Sequence, residues 1–230
     1  TVSMNITRHQ SIFDPQQNDH GITIIGAGAT GSRLWLALVE LGLKNITIYD
    51  FDVVESHNLA NQIYLDAHVG VPKVTALADY YFHKEGEAPP PSMRFLNEKV
   101  DSNTIDMFSG TVFLLTDTMQ SRRDIFESHC VGNVSLKCVI ETRMASSYGN
   151  IFTIDPNDKA MREAWIDTLI SDDAPGEVSP CGSSISVGTT ASIIANLAVW
   201  QFILQCTNPI AVDPRVNIFL QPLIVSKGLI

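Results

Sequence analysis

The sequence has little positive charge for its length. Lysine and arginine together number 15, against 25 aspartate and glutamate residues, and the formal net charge is −10 at pH 7. An acidic surface repels phosphate groups, which argues against nucleic acid as the main partner and against an anionic membrane surface. Any anionic ligand must therefore be attracted by a local site.

Metal-binding and disulfide patterns are also lacking. The four cysteines form no C-x-x-C pair, and the six histidines form no H-x-x-x-H or H-E-x-x-H motif. We therefore expect neither a zinc site of the usual spacing nor a disulfide scaffold. Free thiols in a cytoplasmic protein are the simpler interpretation. The first ten residues, TVSMNITRHQ, lack the apolar segment of a signal peptide.

Long hydrophobic runs are absent except at residues 192–205, SIIANLAVWQFILQ. This run is shorter than the roughly 20 residues that span a bilayer, and Asn196 and Gln201 interrupt it. We interpret it as a helix buried in the core or at a subunit contact. The chain can form one sizeable core, and we expect an N-terminal arm over residues 1–20 and a single domain over residues 21–230.

Short apolar runs alternate with helical patterns along the chain. Strands are predicted before Gly26 and at residues 45–50, 94–100, 111–115, 135–140, 150–154 and 216–220. Helices are predicted at residues 32–41, 72–84, 121–129, 159–170 and 189–206. Residues 85–92, EGEAPPPS, form a loop, because consecutive prolines exclude a helix or a central strand. This alternation predicts an α/β fold with a doubly wound, largely parallel sheet, continuing into a mixed sheet, with helices on both faces.

A glycine-rich turn, Gly26-x-Gly28-x-x-Gly31, lies between the first predicted strand and the first helix. In that setting the first glycine allows a tight turn, the second lets a phosphate approach the backbone, and the third lets the helix pack closely. Asp50, at the end of the second strand, can accept a hydrogen bond from a ribose hydroxyl. The pattern predicts nucleotide binding on a Rossmann-type sheet; the alternative is a tight turn without a ligand.

Further segments indicate which nucleotide. The stretch GAGATGS, NITIYDFDVVESHNLANQIY, VGVPK and VFLLTDTMQSRR resembles the ThiF/MoeB/HesA family of E1-like adenylating enzymes. The resemblance covers roughly residues 20–130 and, more loosely, the remainder. Its most specific part is the D-x-D…N-L…Q block with a downstream lysine, which ordinary dehydrogenases do not carry.

The resemblance implies binding of ATP and Mg²⁺ and adenylation of a carboxylate. Asp50 would hold the ribose, Asp52 would lie beside the nucleotide, and Lys73 would neutralise phosphate charge. Asp117 would coordinate Mg²⁺ and be braced by Arg122. The other cofactor-binding positions that it implies are Gly26, Gly28, Ala29, Gly31, Asn58, Asn61 and Gln62. No general base is needed, because the attacking carboxylate is already ionised near neutral pH.

In one position the chain departs from the family pattern. Asn61 stands where the family usually has an arginine that faces the phosphates, so either another cation substitutes or turnover is weak. Arg8 is the candidate, because TRHQSIF resembles a family segment whose arginine reaches the γ-phosphate across a dimer interface. The family's paired C-x-x-C zinc site is missing too, and the chain therefore resembles a compact, bacterial or phage-type member.

Cys181, in SPCGSS just before the apolar helix, is a candidate nucleophile. In thiol-using relatives a cysteine in a comparable loop receives the activated carboxyl group, and a thiol close to a helix N-terminus can have a lowered pKa. The alternative is a structural cysteine, because some relatives form no thioester. Cys130, Cys138 and Cys206 are predicted to lie in the core.

Together these features predict an E1-like adenylyltransferase that converts ATP to AMP and pyrophosphate. Its substrate would be the C-terminal glycine of a ubiquitin-like, β-grasp protein, and it would act as a homodimer, with an E2-like transfer partner downstream. The predicted catalytic residues are Arg8, Lys73, Asp117 and Cys181. Three alternatives stay open: adenylation of a peptide or small acid, a non-catalytic module that binds ATP or a partner, and an NAD-dependent oxidoreductase.

Overall fold

The computed structural model describes residues 5–18, 20–170 and 186–230, which build an eight-stranded sheet covered by helices on both faces. The strands are β1 (Ile22–Ile25), β2 (Ile46–Tyr49), β3 (Arg94–Leu96), β4 (Gly110–Leu114), β5 (Leu136–Met144), β6 (Tyr148–Ile154), β7 (Arg215–Leu220) and β8 (Leu223–Gly228). The α-helices are α1 (Ala29–Glu40), α2 (Lys73–Glu85), α3 (Met119–Ile125), α4 (Lys159–Asp167) and α5 (Gly188–Thr207). Short 3-10 helices lie at Ser56–Ala60, Asp66–His68 and Pro209–Ala211.

The strand order across the sheet is β3-β2-β1-β4-β5-β6-β7-β8. The first five strands of that order are parallel to their neighbours, and β6, β7 and β8 pair antiparallel. This confirms the predicted Rossmann-type sheet that continues into a mixed sheet. The chain leaves β1 towards β2 on one side and later returns to β4 on the other. The carboxyl ends of β1, β2 and β4 therefore border a crevice at a topological switch point.

Side chains of the central strands alternate between two hydrophobic cores. Ile22 and Ile24 of β1 and Phe113 of β4 belong to the core shared with α1, α2 and α5. Ile25 and Leu114 belong to the opposite core, shared with α3 and α4. Both strands are buried along their whole length, and their sequences, ITII and GTVFL, contain no charged residue.

The longest described helix, α5, packs against α1, β5 and β6. By length and composition alone it is the one helix of the described ranges that could cross a membrane. Half of its most apolar stretch is buried inside the protein. Its buried residues Ala195, Ala198 and Phe202 join the core of the sheet. Trp200, in contrast, is 50% exposed, so part of the helix surface is left uncovered.

Residues 5–18 pack on the face of the sheet that α5 also covers. The buried ring of Phe13 lies 5.8 Å from the ring of Phe202, measured between centroids. His9 Nε2 lies 3.4 Å from the carbonyl oxygen of Leu41, just after α1. This segment therefore contacts the C-terminal end of α1. The division into an arm over residues 1–20 and one domain over residues 21–230 stays a prediction.

Several elements differ from their predicted bounds, and one strand was not predicted. The helix predicted at residues 121–129 begins at Met119, and its last turn, Phe126–Cys130, is π-helical. β3 ends at Leu96, because the chain then leaves the sheet and Val100 joins the core under α3. β8 is missing from the prediction, because its residues are almost all exposed and show no alternation of buried and exposed positions.

Candidate active site

The turn between β1 and α1 requires glycine at two positions. Gly26 has a φ angle of 106°, and a Cβ atom there would lie 2.7 Å from the carbonyl oxygen of Leu115. A Cβ atom on Gly31 would lie 1.9 Å from the carbonyl oxygen of Gly26, so only glycine lets α1 approach β1 this closely. At Gly28 an added Cβ would meet no atom within 4 Å. The N-terminus of α1 therefore faces open space, where an anion can approach.

Two adjoining cavities open at the carboxyl ends of β1, β2 and β4. The smaller, of about 230 Å³, has apolar walls that include Ile25, Val100 and Ile125. The larger, of about 710 Å³, extends over the start of α1 towards β5. Both are lined by Gly28, Asp52, Lys73, Leu115, Thr116 and Asp117. The predicted site residues that line one or both are Gly26, Gly28, Ala29, Gly31, Asp50, Asp52, Asn58, Asn61, Gln62, Lys73, Asp117 and Arg122.

Asp50 lies at the end of β2 and supports the glycine turn. Its carboxylate accepts the backbone N–H groups of Ala27, at 2.6 Å, and Asp52, at 2.8 Å. Burial raises the pKa of the Asp50 carboxyl, and the positive charge of Lys73 and the two N–H donors oppose that rise. A carboxylate has about four acceptor positions, so Asp50 retains capacity for a ribose hydroxyl at the wall of the smaller cavity.

Lys73, the first residue of α2, lines both cavities and forms an ion pair with Asp52. Its Nζ lies 2.7 Å from Asp52 Oδ2, and its backbone N–H donates to the carbonyl oxygen of Asp52 at 2.9 Å. The lysine side chain is 8% exposed, whereas that of Asp52 is 47% exposed. The ammonium group is therefore held in place, and its partner is accessible to solvent and to a ligand.

Asp117 follows β4 and is exposed at the junction of the cavities. Arg122, in the helix α3 that follows, contacts the neighbouring backbone instead of the Asp117 carboxylate. Its Nε and Nη2 donate to the carbonyl oxygen of Thr116, at 2.9 and 2.6 Å. Thr118 caps α3 by accepting the backbone N–H of Ser121 at 3.1 Å. Arg122 thus holds the main chain just before Asp117, and its bracing of the Asp117 carboxylate stays a prediction.

Arg122 is held by a buried charge cluster that sequence reasoning missed. Glu141, fully buried in β5, lies 3.0 Å from Arg122 Nη1 and 3.0 Å from Arg143 Nε. Trp165 Nε1 also donates to Glu141, at 3.1 Å. Burial lowers the pKa of Arg143, and Glu141 opposes that change. One carboxylate therefore joins two arginines and fixes α3 relative to β5. The signal in the sequence is a charged residue within an apolar strand.

Three amide side chains line the larger cavity opposite Lys73. Asn58 is buried and accepts the backbone N–H of Glu55 at 2.9 Å, which gives it a structural role in the short helix at residues 56–60. Within the described ranges, Asn61 Oδ1 and Gln62 Oε1 are buried without a hydrogen-bond partner. Buried acceptors of this kind are costly unless a ligand or water supplies a donor. Asn61 and Gln62 are therefore positioned for a polar ligand.

One further predicted catalytic residue, Arg8, is not brought to the cavities. Arg8 is exposed on the segment that packs at the C-terminal end of α1, whereas the cavities lie at its N-terminal end. It could act only on the site of a second copy. Cys181 lies outside the described residues. Within the described ranges, no cluster of three or more His, Cys, Asp or Glu side chains is arranged to hold a metal ion.

The comparison with protein families agrees with this geometry. A model of the ThiF family matches residues 16–219. The chain belongs to the ThiF family. The predicted family membership is thereby confirmed, and the glycine turn, Asp50, Lys73, Asp117 and the amide side chains all fall inside the matched range.

Relatives of this ThiF-family chain include two proteins whose names carry an activity. The molybdopterin-synthase adenylyltransferase of Escherichia coli is 39% identical over 70 residues, which cover 29% of this chain and 28% of that protein. The SAMP-activating enzyme E1 of Haloferax volcanii is 30% identical over 92 residues, which cover 39% of this chain and 33% of that protein. The chain thus matches about a third or less of these curated relatives.

Solved structures share the fold over nearly the whole chain. The structure of PaaA has a TM-score of 0.69 at 15% identity, covering 96% of this chain and 67% of that one. MccB of Escherichia coli with ATP has a TM-score of 0.68 at 15% identity, covering 94% of this chain and 65% of that one. At these identities the likeness establishes the fold.

Proposed function

We propose that this ThiF-family chain binds ATP with Mg²⁺ and adenylates a carboxylate, releasing pyrophosphate. The observation that carries the proposal is the convergence of Gly28, Lys73 and Asp117 where the two cavities join. One cavity has apolar walls suited to a nucleoside, and the other is polar and large enough for an extended acyl chain. The names of the relatives, an adenylyltransferase and an activating enzyme E1, support the same chemistry.

The residues at the junction of the two cavities have different roles in the reaction. Asp50 accepts from the ribose, and the N-terminus of α1 beside Gly28 receives the α-phosphate. A carboxylate oxygen of the substrate forms a bond to the α-phosphorus while the bond from that phosphorus to the pyrophosphate oxygen breaks. Lys73 shares its charge between Asp52 and the phosphates. Because the nucleophile is already ionised, positioning and charge neutralisation supply the catalysis.

Asp117 fits the role of the Mg²⁺ ligand. Mg²⁺ typically takes one or two carboxylates and completes its coordination with water and phosphate oxygens. The Asp117 side chain is exposed at the cavity junction, and no described residue holds it by a hydrogen bond or ion pair. The ion, when bound there, would supply positive charge to the polyphosphate, while Arg122 keeps the loop in position.

The substrate that we propose is the C-terminal glycine of a ubiquitin-like protein. An unbranched, flexible tail can enter the larger cavity beside the polyphosphate, and the unpaired oxygen of Gln62 can accept an N–H group of its backbone. Adenylation of a peptide or small acid is the alternative, and a screen of tails, peptides and free acids with pyrophosphate release as the signal separates the two.

We also propose how the chain assembles and where the activated carboxyl group goes. Two copies would form a homodimer through the uncovered surface of α5 around Trp200, with Arg8 of one copy reaching the site of the other. The activated carboxyl group would pass to Cys181, and then to an E2-like partner in the cytoplasm. Incubation of Cys181→Ser with ATP and the partner tests the thiol: a stable oxyester supports it, and unchanged product transfer removes it.

The first test is calorimetric titration of the chain with ATP–Mg²⁺ and, separately, with NAD. We expect binding of ATP–Mg²⁺ and a loss of at least about tenfold in affinity for Lys73→Ala, because a charge-assisted contact to phosphate is removed. Lys159→Gln, on the exposed surface of α4, is the matched control and should bind normally. Binding of NAD without ATP would favour the oxidoreductase, and ATP binding without pyrophosphate release would favour a non-catalytic module.

A further inference from the structure

The larger cavity lacks an excess of positive charge with which to hold a polyphosphate. Its two strong cations are already paired, Lys73 with Asp52 and Arg122 with Glu141. The carboxylates in its lining are Asp52, Glu55 and Asp117. A triphosphate placed here would meet groups whose positive charge is largely neutralised, and repulsion from the carboxylates would weaken its binding. A further cation is therefore expected nearby.

Arg33 of α1 does not line this cavity itself but contacts Asn61, which does. Its Nε donates to the carbonyl oxygen of Asn61 at 3.4 Å, and its Nη2 lies 3.0 Å from the position that a Cβ atom on Gly188 would occupy. Asn61 lines the cavity, as does Thr30, which lies about one helical turn before Arg33. The guanidinium group thus lies where α1, the loop at Asn61 and the start of α5 meet.

The donors of Arg33 are largely unused in the part of the chain that the structure describes. No carboxylate there forms an ion pair with it, although the side chain is partly buried. A guanidinium group has five N–H donors, and its contact to Asn61 is longer than a typical N–H···O bond. A partly buried cation with free donors is suited to bind an anion, and phosphate oxygens match the fork of the guanidinium group.

We propose that Arg33 binds the terminal phosphates of ATP, and the pyrophosphate formed from them, at the edge of the larger cavity. This inference rests on the proposed function. The guanidinium group turns from the carbonyl oxygen of Asn61 to the phosphate oxygens. It supplies positive charge that Lys73 and Arg122 do not, because their own charges are neutralised by carboxylates. AMP has no phosphates that extend this far, so Arg33 distinguishes ATP and pyrophosphate from AMP.

The test is calorimetric titration of Arg33→Gln with ATP–Mg²⁺, pyrophosphate–Mg²⁺ and AMP. We expect ATP and pyrophosphate to bind about tenfold or more weakly, because a charge-assisted contact is lost, and AMP to bind as to the unmodified chain. Arg33→Lys keeps the charge and should retain most of the affinity. The double variant Arg33→Gln with Asn61→Arg returns a guanidinium group to the same edge and should recover pyrophosphate binding.

Unchanged binding of ATP and pyrophosphate by Arg33→Gln would overturn the assignment, as would an equal loss for AMP. Thermal unfolding of each variant accompanies the titrations, and a double variant that is folded but does not recover pyrophosphate binding would count against a direct contact between the guanidinium group and the phosphates. Failure of the proposed function gives a different result, because the unmodified chain itself would then not bind ATP.

Discussion

A single methyl group should have different effects at Gly28 and Gly31, the two glycines at the start of α1. Gly31 lies inside the helix, where alanine is normally more stable than glycine by about 0.8–1 kcal/mol. Here, however, the new Cβ atom would lie 1.9 Å from the carbonyl oxygen of Gly26. Relieving that overlap requires α1, with its fully buried Leu34 and Trp35, to move away from β1. Overpacking of this kind costs about 1–3 kcal/mol, so we expect Gly31→Ala to be destabilised despite its better helix propensity.

Gly28→Ala should leave stability unchanged and weaken nucleotide binding. Gly28 has a φ angle of −74°, which alanine adopts readily, and its Cβ atom would meet no protein atom within 4 Å. We therefore expect the free energy of unfolding to change by less than about 0.5 kcal/mol. The methyl group would instead occupy the space in front of the helix N-terminus, and affinity for ATP–Mg²⁺ should fall at least about tenfold.

Urea unfolding followed by circular dichroism measures the first effect, and calorimetric titration measures the second. Each variant serves as the control for the other, because both add the same atom to the same turn. A Gly31→Ala variant as stable as the unmodified chain would refute the argument from close packing. A Gly28→Ala variant that binds ATP normally would show that the phosphates lie elsewhere.

Asp117, Glu141 and the cysteines each give a measurable expectation. Asp117→Ala should abolish pyrophosphate exchange with an unchanged unfolding midpoint, because the side chain is exposed; normal exchange would contradict the Mg²⁺ assignment. Glu141→Gln should lower the free energy of unfolding by about 3–5 kcal/mol in urea, because two buried arginines lose their counter-charge; a loss below about 1 kcal/mol would refute that role. Burial raises the pKa of the thiols of Cys130 and Cys138 to about 12 and that of Cys206 to about 11. At about pH 8 we therefore expect iodoacetamide to alkylate Cys181 first, which peptide mass spectrometry measures. Equal labelling of Cys138 would contradict it.

The part of the site that follows strand ends could be predicted from the sequence. Gly26, Asp50 and Asp117 each come just after an apolar run, and the carboxyl ends of parallel strands meet at one edge of a sheet. Correct strand positions are therefore enough to bring these residues together. Lys73 could be added because it begins a helix after Pro72 and matches a family motif.

Residues that depend on long-range packing could not be predicted. Arg33 contacts Asn61 and the start of α5 only because α1 and α5 pack side by side. Glu141 meets Arg122 only once α3 lies against β5. In both cases the partners are far apart in the chain, and neither motif spacing nor hydrophobic periodicity carries that information. The edge strand β8 gave no periodic signal for a related reason, since it buries almost nothing.

In the proposed reaction, the junction between the two cavities would set the order in which the products leave. A mixed anhydride of the acyl group and AMP would occupy both cavities, and it would be held by the contacts of both. Pyrophosphate would be held by the larger cavity alone and would therefore leave first, while the anhydride would stay bound through both sets of contacts. A compound that joins a nucleoside to an acyl chain through an unreactive link would combine both sets of contacts in one molecule, and should bind more tightly than either fragment.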